Sequence, residues 1–180
     1  MPFQIIREEL DDFRKYRQIP IQTITIACFF ASKDPLLRRK DKILLLQRSS
    51  NPYAILGYKD PQARFWELIG GYVREIDGGN PLKAAQREAL EETALEMIAI
   101  KLFGISPFIH KGTEGINWIY FCITHVEQQI KISVEHEASS WALIEDALQL
   151  PLAFKHSPIL RTLCLVKGDQ QLQAFVSSLV

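Results

Sequence analysis

The stretch NPLKAAQREALEETALEM, beginning at Asn80, limits the fold of this chain more than any other part of it. Asn80 followed by Pro81 supplies an N-cap and a proline at the first helical position, and good helix formers follow, so a helix is predicted here. On either side the period changes. Residues 21–31 are rich in β-branched and aromatic side chains with near alternation, and residues 42–48 (KILLLQR) are a short apolar run. Both read as strands, joined by the basic turn SKDPLLRRKD. Residues 51–64 carry Asn-Pro, Gly and Asp-Pro signals and read as a loop leading into Phe65, Trp66, Glu67 and Leu68. Further strands are predicted over residues 98–109, 116–126 and 130–134, with KGTEG as the turn between the first two, and a short one over residues 141–144.

Both ends are predicted helical. Ile6, Leu10 and Phe13 recur at helical spacing, which gives a short N-terminal helix over residues 5–17. Ser157-Pro158 is a second capping signal, opening C-terminal helices over about residues 157–179 with a break at Gly168. A chain of 180 residues that is 47% hydrophobic suits one domain, residues 1–180, with a substantial core. Strands that precede and follow helices in mixed order predict an α/β sandwich and not a regularly wound parallel sheet.

Lys plus Arg and Asp plus Glu both total 21, so no global positive charge argues for nucleic acid as the main partner. The opening MPFQIIREELDDFRKYRQ mixes charges through its apolar residues, unlike a signal peptide, and no later run approaches membrane-spanning length. A cytoplasmic protein without membrane association is expected. Cys28, Cys122 and Cys164 lie far apart with no CxxC spacing, so zinc and disulfides are not expected, and each reads as a buried small apolar residue.

Offsets of three and four residues return to one side of a helix, so Arg87, Glu88, Glu91 and Glu92 share a face, while Leu82, Ala85, Ala89 and Leu90 point broadly the other way. Neighbouring like charges repel by roughly 0.2 to 0.5 kcal/mol per pair on an exposed helix. A divalent cation reverses that sign, and Mg²⁺, which takes hard oxygen ligands and bridges carboxylates to phosphates, suits such a face. Taken alone, REALEE on an exposed helix is more commonly just a solvated, salt-bridged surface than a metal site. Its neighbourhood distinguishes it.

Residues 66–95, WELIGGYVREIDGGNPLKAAQREALEETAL, resemble the Nudix box: Gly, five residues, Glu, seven residues, then Arg-Glu-aliphatic-any-Glu-Glu-any-Gly-aliphatic. Arg87, Glu88, Glu91, Glu92 and Leu95 fall on that pattern, and Gly70-Gly71 is similar to the loop before it. Upstream, KILLLQR is similar to the family strand whose closing arginine, here Arg48, reaches substrate. Downstream, EHEASSW (residues 135–141) is similar to the acidic loop and tryptophan before the family's last strand. The resemblance implies an αβα sandwich with a central mixed β-sheet. It also implies a hydrolase that cleaves a pyrophosphate bond in a nucleoside diphosphate linked to another moiety. Glu88, Glu91, Glu92 and the Gly70 carbonyl would then bind Mg²⁺, with Mn²⁺ as the alternative ion, and Arg87 would hold Glu88. The ion lowers the pKa of an attacking water and neutralises phosphate charge, and a carboxylate takes the proton; Glu88, Glu135 and Glu137 are the candidates.

Departures from the pattern are local. Gly79 stands where the first Glu belongs, with Glu75 or Asp77 near enough to substitute. Ala94 replaces Gly, Ala89 a larger aliphatic and Ile69 a proline, and the loop after Gly71 is longer. A nucleotide ligand has candidate contacts in Arg48, Trp118 and Tyr120, although aromatics in a strand also serve as core. His136, between Glu135 and Glu137, stands out among scattered histidines. Two readings of function are carried forward with a homodimer compatible with both: the hydrolase, and a weak or inactive Nudix-fold module that binds a nucleotide or a partner. A third, unrelated reading is an α/β domain whose acidic helix faces water.

Overall fold

Strand β2 (Lys42–Arg48) shows how the sequence builds the fold. Ile43, Leu44, Leu45 and Leu46 are all fully buried, yet consecutive strand side chains point to opposite faces. Ile43 and Leu45 join one core cluster and Leu44 and Leu46 another, so β2 is covered on both sides. Strand β6 (Thr113–Thr124) divides the same way, with Ile119 and Phe121 in the first cluster and Tyr120 and Cys122 in the second. The first cluster is completed by Ile144 and Ala147 of α2 (Ile144–Ala147) and by Ile159, Leu160 and Leu163 of α3 (Ser157–Val166). The second takes Ala85 and Ala89 of α1 (Pro81–Thr93). The result is the expected αβα sandwich. These relations come from a computed structural model that describes residues 22–31, 42–50, 60–97, 99–110, 113–124 and 129–166.

The sheet is mixed. Strand β1 (Gln22–Ala31) runs parallel to β6 along its whole length. Its other edge is shared, antiparallel, by β4 (Ile69–Tyr72) and the start of β2. Strand β2 also pairs with β3 (Trp66–Glu67) and β7 (His136–Leu143), and β5 (Ala99–His110) forms a long hairpin with β6.

Helix α1 begins where the capping signal predicts. The Asn80 side chain accepts from the Leu82 N–H at 2.9 Å and Lys83 N–H at 3.4 Å. It ends at Ala94, whose φ of 56° and ψ of 21° place it in the left-handed region. That is the cap glycine adopts without cost, whereas a Cβ there costs about 1 kcal/mol. Ala94→Gly is therefore expected to raise stability by about 1 kcal/mol, read as a higher urea midpoint at constant slope. An unchanged midpoint would contradict the strain.

Some expectations differ from the structure. Residues 130–134 are not a strand: the Lys131 and Ser133 N–H groups donate to the Thr93 and Glu92 carbonyls at 2.9 and 3.0 Å, and so satisfy the open end of α1. Of KGTEG, Thr113, Glu114 and Gly115 already belong to β6. Gly70 and Gly71 are strand and not loop, and His136 to Trp141 lie within β7 instead of preceding it. Cys122 is buried but Cys164 only partly so. The helices expected over residues 5–17 and beyond Val166 lie outside the described residues. Among the described residues no helix is long and apolar enough to cross a membrane.

Candidate active site

The floor of the candidate site is β4. Gly70 and Gly71 lie opposite Ile26 and Thr25 of β1, which ties the glycines to the centre of the sheet. The Gly70 N–H donates to Glu92 Oε2 at 3.2 Å, so it points out of the β1 ladder. In an antiparallel pair a residue's N–H and C=O leave on the same side, and the Gly70 carbonyl is directed away from β1 with it. Gly71 is glycine because the Glu88 carboxylate occupies the position a Cβ would take.

Facing this floor is α1, turned differently from the sequence expectation. Ala84, Ala85, Glu88, Ala89 and Glu92 are all buried, while Leu90 is 53% exposed. Glu88 and Glu92 thus project from the packing side of the helix, Glu91 lies at its margin, and Leu90 faces water. The physical reason is angular: at about 100° per residue, positions 88 and 92 fall between 84 and 85. Burial pushes the carboxyls of both Glu88 and Glu92 above the ordinary glutamate value. At Glu92 the neighbouring charges of Glu67, Glu88 and Glu135 add to the effect, and the Gly70 hydrogen bond opposes it.

Arg87 organises the margin. Its Nε and Nη2 grip Asp77 at 2.9 Å each, Nη1 reaches Glu88 at 2.6 Å and Glu91 at 3.0 Å, and Nη2 also donates to the Tyr72 carbonyl at 3.0 Å. The Arg87 hydrogen bonds hold the buried Asp77 carboxyl down at about 2 against burial, helped by the Arg74 N–H. Of the two acids near Gly79, Asp77 is the one paired with Arg87, whereas Glu75 is exposed. Gly78 and Gly79 have φ of 63° and 71°, so the turn carrying Asp77 takes glycines where the family pattern has Glu. Exposed Arg74 stands 3.8 Å from Glu88 and 3.9 Å from Glu91.

Arg48 does not stand open toward a ligand. Its Nε and Nη2 donate to Asp60 at 2.8 and 2.6 Å, its Nη1 to Glu67 at 3.1 and 2.8 Å, and its guanidinium lies 4.6 Å from the Phe154 ring centre. Of the loop acids, Glu137 accepts from the Ser50 N–H at 2.8 Å and pairs with Arg64 at 3.6 Å. Glu135 is exposed and is anchored through its backbone, its carbonyl accepting from the Ser49 N–H at 2.8 Å. Tyr120 is buried beneath α1, which pushes its phenol up to about 12, and Trp118 is partly buried against the same cluster. Tyr120 is part of the core, and Trp118 packs at its margin. The sequence reading missed the roles of Glu67, Asp60 and His156. An acid inside the apolar run FWELI was the available signal, since a buried carboxylate demands partners.

Glu88, Glu91, Glu92 and the Gly70 carbonyl supply only hard oxygens, and the raised carboxyls of the buried pair are what a divalent ion would lower again. The donor set fits Mg²⁺ or Mn²⁺. Among the described residues no three His, Cys, Asp or Glu side chains already form a cage; Glu88 and Glu91 are turned toward Arg87 and Arg74.

The sandwich recurs in solved Nudix structures. The NUDIX domain of Shewanella oneidensis NrtR, crystallised with ADP ribose, superposes with a TM-score of 0.63 at 20% identity, covering 90% of this chain and 98% of that one. The MutT protein of Methanosarcina mazei gives 0.64 at 22% identity, covering 84% and 99%. Residues 35–163 match the NUDIX domain family, and the chain belongs to it. A curated relative, the ADPR responsive transcriptional repressor NtrR of Acinetobacter baylyi, is 29% identical over 147 residues, 79% of this chain. The chain spans about half the length of that relative, 52%.

Proposed function

We propose that this chain binds a nucleoside diphosphate joined to a second group, with ADP-ribose the first member to test, and hydrolyses the pyrophosphate bond with Mg²⁺ or Mn²⁺. The observation behind this reading is the burial of Glu88 and Glu92 side by side against Gly70 and Gly71. A solvated acidic helix keeps its carboxylates in water, and burying two of them is costly without a counter-charge.

Glu88, Glu91, Glu92 and the Gly70 carbonyl would hold the ion, which when bound neutralises phosphate charge and makes a water acidic enough to attack phosphorus. Arg87 keeps Glu88 and Glu91 in place from its anchorage on Asp77. Glu135 is the favoured proton acceptor: its charge bears on Glu92, whereas Glu137 is committed to Ser50 and Arg64. In this reading Arg48 orders Asp60 and Glu67 and does not touch substrate.

A second reading has its own support in the relative named as an ADPR responsive repressor. In this second reading the same residues of this chain take the ligand and report it without cleaving it. Incubation with Mg²⁺ and a panel of ADP-ribose, nucleotide sugars, dinucleoside polyphosphates, NADH, coenzyme A and nucleoside triphosphates separates the two. Release of a nucleoside monophosphate that stops in EDTA is expected. Tight ADP-ribose binding with no turnover across the panel would select the sensor, and neither binding nor turnover would dismiss both.

A further inference from the structure

A chain of polar contacts runs from Glu67 of β3 to the turn that bears Glu135. Glu67 is buried, and Arg48 Nη1 reaches both of its oxygens, leaving Oε1 also in contact with His136 Nε2 at 2.9 Å. Because a carboxylate held by arginine is an acceptor, Nε2 carries a proton toward it, an assignment that in the neutral tautomer makes Nδ1 the accepting nitrogen. Nδ1 faces Ser133 Oγ at 3.1 Å, and that oxygen in turn accepts from the Glu135 N–H at 3.3 Å. The Ser133 N–H donates to the Glu92 carbonyl at 3.0 Å, and His136 N–H returns to the Ser133 carbonyl at 3.1 Å. Every donor in this series meets an acceptor.

Besides this series, the turn is tied to the end of β2, where the Ser49 N–H donates to the Glu135 carbonyl at 2.8 Å. Val134 at its tip is 90% exposed and contributes no packing, and Glu135 is itself exposed. We infer that Glu67 is a positioning residue: through His136 and Ser133 it fixes the turn that sets Glu135 against the Glu92 end of α1. Arg48 and Asp60 complete the anchorage on the far side, so the 60–64 turn and the 133–135 turn are held by one buried carboxylate. The catalytic consequence rests on the hydrolase reading; the mechanical one does not.

The test uses Ser133→Ala, which removes one hydroxyl at a partly buried position, and Ser133→Thr, which keeps it. Amide hydrogen exchange, measured without metal or ligand, is expected to quicken roughly tenfold at Glu135 and His136 in Ser133→Ala, while the β2 amides stay protected. With a substrate that the wild type turns over, kcat is expected to fall roughly tenfold or more with KM within about twofold, the mark of a misplaced group that leaves binding alone. Ser133→Thr should restore both. Unchanged exchange in Ser133→Ala overturns the clamp, and quickened exchange with unchanged kcat overturns the link to Glu135. If the wild type hydrolyses nothing, the hydrolase reading fails by itself and the exchange measurement still decides the clamp. His136→Gln, which keeps a donor toward Glu67 and loses the Nδ1 acceptor, should reproduce the Ser133→Ala exchange pattern; a wild-type pattern would overturn the relay.

Discussion

Glu92→Gln is expected to lower kcat by roughly a hundredfold or more, the scale on which losing one electrostatic stabiliser of a transition state is felt, while the protein in EDTA at neutral pH becomes no less stable. The two halves come from one geometry. Gln keeps the size of Glu and an oxygen for the Gly70 N–H, so packing and that hydrogen bond persist. It removes a buried negative charge that sits close to Glu67, Glu88 and Glu135. A carboxyl raised by burial stabilises the fold below its unfolded pKa and loses that contribution as pH rises through the folded value, so the wild-type protein without metal is penalised on the alkaline side. Added Mg²⁺ should therefore raise the wild-type Tm more than that of Glu92→Gln. Steady-state turnover and thermal melts with and without EDTA read both halves. Full activity in the variant would remove Glu92 from the site, and loss of activity together with folded structure would make it merely architectural.

Acid is expected to cost the fold about 3 kcal/mol through His156 alone as pH falls from about 6.5 toward 4. His156 precedes α3 and is buried; its Nδ1 accepts the Leu68 N–H at 3.0 Å, at the residue between β3 and β4 that neither strand's ladder serves. Burial, with help from the charge of Arg48 and against that of Glu67, moves the ring from 6.5 down to about 4. A base depressed in this way contributes fully above its unfolded pKa and loses that contribution as pH drops through the folded one. Protonation would both charge a buried ring and take away the acceptor Leu68 needs. His156→Gln can offer an oxygen without titrating, so urea midpoints between pH 7 and pH 4.5 should slope less steeply in the variant. Parallel slopes would assign the acid sensitivity to carboxylates elsewhere. Asp77 does not overlap, since its lowered carboxyl gives way only below its ordinary value of 3.8.

How much of this was legible in the sequence depends on whether local chemistry or distant chain made the decision. Asn80-Pro81 announced the start of α1 because a cap is written in adjacent residues. KILLLQR announced β2, and its unbroken apolar run already carried the information that both faces are covered. The orientation of α1 was not legible: whether Leu90 or Glu88 turns inward is settled by the depth of the Gly70-Gly71 floor, which admits a carboxylate over a missing Cβ. Nor was the pairing of Arg48, since Asp60 and Glu67 lie 12 and 19 residues away along the chain. Residues 130–134 looked like a strand by composition, but their backbone had a more pressing use in closing the end of a helix. The family pattern pointed to a missing acid at Gly79, and the fold sets Asp77 against Arg87 just before two left-handed glycines.

The pairing of Gly70 and Gly71 with Ile26 and Thr25 has a consequence for how such a protein can change over time. If the proposed ion sits there, its seat is cut into the strands of the sheet, so altering it would disturb the scaffold itself, while whatever chooses among ligands would be borne by chain outside that ladder. Chemistry and selectivity are in that sense built from separate stock, and new ligand preferences can be tried at the rim without recasting the bed.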